Sequence, residues 1–334
     1  MKTEKGVLSS QRAGNLFFVM TVVQIAGSLA YGIAGLFFPQ LYGIAVSTVF
    51  SEGLALVPML IFAVCSGVAA GKLFPFCRIR PIQILQALLL TAAVYPVCIF
   101  LNGLSLYFTE NAVEQMSGAI VDRPMWEMIL LIGIAGPFCE EIIFRGFFFQ
   151  NLKKRNGLIG AAVFSGILFG LFHMNFNQFV YAAAMGIFLA LANDAGGSLW
   201  ISVLMHQMFN TAEVAAMYQT EPWPLETAES EAAALSEAAG ETTLAWGAEL
   251  IPAAILAAAG VALFFVILRW MRSSSRKNVP ETQCRMGTVQ MEDGNTAGKR
   301  RFSVWGWIGV VISAGYMIVM DFFVMVLYNK FYMG

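Results

Sequence analysis

The sequence has 334 residues, of which 58% are apolar and 12% charged, and its mean hydropathy is +0.69. That balance excludes an ordinary soluble domain and places the chain among polytopic membrane proteins. The formal net charge is −1 and no basic stripe is interleaved with aromatics, which speaks against a nucleic-acid partner and leaves the lipid bilayer as the first partner.

In chain order, Lys2, Lys5 and Arg12 precede an uncharged run from Ala13 to Phe38. The run is too long for a cleaved leader and reads as a retained signal-anchor. A spanning helix needs about 20 apolar residues, and nine stretches offer them: near 14–38, 53–71, 83–108, 127–151, 158–175, 177–194, 197–219, 249–270 and 303–328. The expected fold is an all-α polytopic membrane protein of eight to nine transmembrane helices. Small residues recur in the fifth stretch (Ala161, Ala162, Ser165, Gly166, Gly170), as close helix packing in lipid requires. The five cysteines show no CxxC pair and are read as free, mostly buried thiols.

Basic residues set the predicted orientation. With nine spans and a cytosolic N-terminus, every Lys and Arg except Arg123, Arg145 and Lys330 falls on the cytoplasmic side. The expected location is integral to the membrane, multi-pass, in the plasma membrane with the N-terminus in the cytosol. Residues 220–248 form an outside segment rich in Ala and Glu, read as a solvated linker. The basic loop from Arg269 to Arg301 reads as a cytosolic connector near anionic lipid.

Chemistry concentrates in three apolar stretches. Pro137-Phe-Cys-Glu-Glu-Ile-Ile-Phe-Arg145 carries two carboxylates and an arginine where charge is costly and usually functional. Glu141 and Arg145 stand one helical turn apart and form a neutralising pair; Glu140 points about 100° away and is left for other helices. Pro137 removes a backbone donor, opening the helix beside Glu140. The two histidines, His173 and His206, lie in the fifth and seventh stretches; Phe169 shares a face with His173 and Asn210 with His206. Helical rise places all of them within reach of one cavity in the mid to outer bilayer.

This set suits the addition of water to an amide. Glu140 takes a proton from a water also held by His173, and His206 and Asn210 donate to the developing oxyanion. A zinc ion on Glu140, His173 and His206 with an open water position is the alternative, although the HExxH spacing of zincins is absent. A proton-coupled transporter with Glu and His in a relay, or a silent membrane scaffold, are the readings from other classes. Asp321 and Glu213 read as structural or interfacial.

The ordered array of Glu140, Glu141 and Arg145, then Phe169 and His173, then His206 and Asn210 resembles the CPBP intramembrane proteases, the type II CAAX prenyl endopeptidase or Abi family. The resemblance covers residues 137–210 and implies an Rce1-like helical bundle with an intramembrane polar cavity. It further implies endoproteolysis, of glutamic or metallo type, of a peptide or membrane-protein substrate. The domain division that follows is N-terminal helices (1–125), catalytic core helices (126–219), the acidic extracytoplasmic loop (220–248), and C-terminal helices with the basic loop (249–334). No prenylated substrate is implied for this chain.

Overall fold

The structure is a computed structural model that describes residues 10–39, 42–66, 74–109, 111–219, 242–276 and 302–332. Lys2, Lys5, Lys72, Cys284 and the acidic segment from 220 to 241 lie outside the described residues. Among the described residues the chain is all helix: α1 (Ser10–Phe37), α2 (Ile44–Ser66), α3 (Pro81–Ser105), α4 (Ala112–Val121) and α5 (Met125–Met128) come first. A π-helical segment Ile129–Ala135, α6 (Gly136–Glu141), a second π-helical segment Ile142–Phe149 and α7 (Gln150–Phe172) continue from α5. The chain closes with α8 (Phe176–Gly196), α9 (Leu199–Gln219), α10 (Thr242–Arg276) and α11 (Val304–Tyr332).

Six helices are long and apolar enough to cross a membrane, with Asn156–Phe172 as a shorter apolar helix. The chain is an integral multi-pass membrane protein. The three rods that carry the motif residues fall outside those six, because they are broken by π-turns, short, or loaded with polar side chains. The rod from Met125 is one continuous helix until Gly157, whose backbone (φ 67, ψ −177) is non-helical and divides it from the rest of α7. That break separates the fourth and fifth predicted spans.

One boundary differs from expectation in a way that matters. The second span was expected at 53–71, yet α2 begins at Ile44. Its first turns hold Ser47, Thr48, Ser51 and Glu52, a polar run that hides a helix start from a hydropathy reading. Ser47 and Thr48 satisfy their hydroxyls on the Ile44 carbonyl, at 3.0 and 2.8 Å, and Ser51 accepts from Gln24 of α1. Glu52 is thereby carried into the bundle. The cysteines also differ: Cys65, Cys98 and Cys139 are free, Cys65 is exposed, and Cys77 is disulfide-bonded.

Packing uses small residues as lipid-embedded helices must, since apolar burial alone favours no helix pair there. A Cβ on Gly166 would come within 2.7 Å of the Ala183 carbonyl, and one on Gly170 within 2.8 Å of the Phe179 carbonyl, so α7 and α8 touch backbone to backbone. Phe144, Phe147, Phe148 and Phe149 are fully buried at the centre. At one end of the bundle Lys153 and Arg272 both pair with Asp194, and Arg80 donates to the Ser274 carbonyl at 2.7 Å. Arg80, Lys153 and Arg272 therefore share an end.

Candidate active site

Pro137 shapes the site. The π-helical register is visible in the Gly136 N–H, which bonds the Leu131 carbonyl five residues back. In the same register the partner of the Ile132 carbonyl is position 137, a proline with no N–H. Backbone acceptors left open in a bilayer must be met from within the protein. Here α9 meets this one: Asn210 donates to the Ile132 carbonyl at 3.2 Å, and Gln207 adds a bond to the Ile134 carbonyl at 3.1 Å. The helix opening beside Glu140 and the Asn210 contact from α9 thus share a cause in Pro137.

One turn further on, the two carboxylates part company. Glu141 and Arg145 are wholly buried, and Arg145 Nη1 donates to Glu141 Oε1 at 2.7 Å. The same oxygen accepts from His206 Nδ1 at 3.0 Å. The Arg145 guanidinium sits over the Phe169 ring, 4.3 Å from its centroid, and Gly186 leaves room for it: a Cβ there would lie 2.9 Å from Nη2. A buried ion pair of this kind holds because each partner has further contacts.

Glu140 faces the other way, into a cavity of about 340 Å³ lined also by His173, His206 and Asn210. His206 Nε2 lies 3.5 Å from one Glu140 oxygen and His173 Nε2 lies 3.9 Å from the other. His173 Nδ1 meets the Phe169 carbonyl at 2.9 Å. A carbonyl only accepts, so Nδ1 carries the hydrogen and neutral His173 turns a lone pair at Nε2 toward Glu140. Phe169 stands edge-on to both imidazoles, with centroids 4.9 and 5.6 Å away, and holds their planes. The turn after His173 is tight: Met174 adopts a positive φ of 58°, and Asn175 both bonds the His173 carbonyl and caps α8.

Every residue expected at the site is brought to this one place. Glu213, read as structural or interfacial, lines the cavity, whereas Asp321 accepts from the Phe176 N–H at 2.9 Å at the start of α8. Glu52 also lines the cavity and was missed, because it was placed ahead of its span. The link from Glu141 to His206 was missed too, since spacing along one helix says nothing of a partner on another. For the zinc alternative, Glu140, His173 and His206 converge, but no group of three His, Cys, Asp or Glu among the described residues is spaced to hold a metal ion.

The comparisons with known proteins fall on this region. Residues 122–212 match the family described as type II CAAX prenyl endopeptidase Rce1-like. YdiL of Bacillus subtilis (strain 168), a candidate membrane peptidase, is 33% identical over 95 residues, which is 28% of this chain. The match spans 38% of that relative's length. No solved structure matches.

Proposed function

We propose that this chain, a member of the CAAX protease family through residues 122–212, is an intramembrane endopeptidase that hydrolyses a peptide bond in or near the bilayer. The observation that carries the reading is Glu140: a carboxylate in a lipid-embedded cavity, approached on both sides by an imidazole Nε2. The 3.9 Å gap to His173 is too wide for a direct hydrogen bond and suits a bridging water. Glu140 removes a proton from that water, and the hydroxide adds to the substrate carbonyl carbon. Asn210 Nδ2 has two hydrogens, one given to the Ile132 carbonyl and one left for the oxyanion. His206 gives its Nδ1 hydrogen to Glu141, so its Nε2 serves the oxyanion in the doubly protonated form. Glu140 then passes its proton to the leaving nitrogen as the C–N bond breaks, releasing a carboxylic acid and an amine. Glu141, Arg145 and Phe169 hold this set in place.

The test is cleavage of a membrane-peptide library by detergent-purified protein. Glu140→Ala and His173→Ala should each abolish cleavage while melting as the parent does; equal activity in either variant overturns the assignment. The protein is assigned to the plasma membrane with its N-terminus in the cytosol; the common end occupied by Arg80, Lys153 and Arg272 supports the orientation. Labelling of a cysteine placed at the N-terminus by a membrane-impermeant maleimide in intact cells would contradict that orientation.

A further inference from the structure

We propose that Glu52 forms, beside the catalytic carboxylate, a subsite for a positively charged group of the substrate, a Lys or Arg side chain or an amine. The proposal rests on the endopeptidase reading for the word substrate, but its geometry is separate. Glu52 enters from α2, outside residues 122–212, and lines the same cavity as Glu140. Its Oε1 lies against the backbone of Gly136, where a Cβ would come within 3.2 Å of it. Gly136 stands one helical turn before Glu140, so the two carboxylates are neighbours along one cavity wall. Glu52 Oε2 is buried and has no hydrogen-bond partner, a state that is costly unless a ligand meets it.

Among the described residues no cation pairs with Glu52. The cavity lining holds three carboxylates, Glu52, Glu140 and Glu213, and among its described residues no Lys or Arg. Glu140 has its two imidazoles, and Glu213 has Tyr95 as a hydrogen-bonding neighbour. Arg145 is engaged with Glu141 and Phe169 and does not line the cavity. Carboxylates gathered in a low-dielectric space are relieved by a proton or by a cation. A cationic substrate group provides the second, seats its chain one turn from Glu140, and is selected over a neutral isostere because only it satisfies Oε2.

Binding can be measured without turnover in a Glu140→Gln background. The probes are uncharged Ala/Leu decapeptides with a neutral fluorophore, each carrying one Lys in a positional series or norleucine at the same place, read by fluorescence anisotropy in detergent. At one Lys position at least, affinity should exceed that of the norleucine peptide by tenfold or more. Adding Glu52→Gln should reduce that preference below threefold and leave norleucine affinity unchanged. Absence of a Lys preference at every position, or a preference that survives Glu52→Gln, overturns the proposal. Should Glu52→Gln fail to fold, carbodiimide coupling of the Lys peptide to the otherwise unaltered protein decides: an amide mapped to Glu52 by mass spectrometry supports the subsite, and coupling only elsewhere overturns it. A Glu52-dependent Lys preference in a protein whose wild type cleaves nothing would sink the endopeptidase reading and leave the subsite standing.

Discussion

His206 Nδ1 lies 3.0 Å from Glu141 Oε1, the oxygen that also accepts from Arg145. The carboxylate that neutralises the arginine is therefore the one that fixes the histidine's ring and tautomer, and a structural pair reaches the chemistry through it. Glu141→Gln keeps the shape but loses the charge. If Glu141 acts by positioning His206, cleavage should fall roughly ten- to hundredfold, by analogy with carboxylates that orient metal-bound histidines. The fall should appear in kcat more than in KM, and Arg145→Ala should not reproduce that split. Unchanged kcat in a folded Glu141→Gln protein would detach Glu141 from the reaction.

Arg145→Ala strips the counter-charge from a wholly buried carboxylate. Breaking such a pair costs about 3–5 kcal/mol, so the melting temperature in detergent should drop sharply. Lysine should not restore it, because the planar guanidinium both bonds Glu141 and stacks on Phe169 at 4.3 Å. Gly186→Ala probes the same space from the other side, since its Cβ would lie 2.9 Å from Nη2 and 2.9 Å from Gly166 Cα. A loss of about 1–3 kcal/mol is expected from that overpacking; a neutral Gly186→Ala would show that the α7–α8 contact has slack.

Pro137 and Asn210 are coupled through a carbonyl neither of them owns. Asn210 is needed at Ile132 only because position 137 offers no N–H. Asn210→Ala should cost about 1–3 kcal/mol by leaving that buried acceptor open. In a Pro137→Ala background the same change should cost less, with an interaction energy of roughly 0.5–3 kcal/mol in a double-mutant cycle on thermal unfolding. Additivity of the two changes would refute the shared-carbonyl account. Cleavage should still suffer in the double variant, because the oxyanion loses its amide donor.

Much of this was legible in residue order. Charges in apolar stretches marked Glu140, Glu141 and Arg145, the two histidines marked the partner helices, and the helical angle separated Glu140 from Glu141. What failed to show has physical reasons. Glu52 sat in a polar run that hydropathy assigns to a loop, yet its neighbours Ser47 and Thr48 satisfy themselves on the Ile44 carbonyl and let α2 begin earlier. The π-helical turn before Glu140, Ile129–Ala135, accompanies Pro137 and the α9 contact at the Ile132 carbonyl, a tertiary effect without a local pattern. The contact from Glu141 to His206 joins positions 65 apart in the chain, beyond the reach of any spacing rule. The helix α4 between the third and fourth spans was not foreseen, being too short to register as a span.

Gly157 isolates a backbone effect from all of these. Its φ of 67 and ψ of −177 belong to a region that glycine alone occupies readily, and a Cβ there would meet nothing within 4 Å. Gly157→Ala should therefore lose about 1–3 kcal/mol through strain alone, with cleavage per folded molecule unchanged because the break is remote from Glu140. A stability equal to the parent would mean the rod from Met125 continues straight through Gly157.

The donors Glu140, His173 and His206 converge, but the described residues hold no three-donor group with metal spacing. With Glu140 as the base, cleavage should survive prolonged dialysis against EDTA and 1,10-phenanthroline, and elemental analysis should find well under one zinc per active chain. Loss of activity on chelation, restored by stoichiometric zinc, would transfer water activation from the carboxylate to a zinc ion held by these three residues. Glu140→Gln separates the two chemistries further: without its base the protein should stay inactive at any zinc concentration, whereas a ligand amide in a metal site should regain part of its rate as zinc is raised.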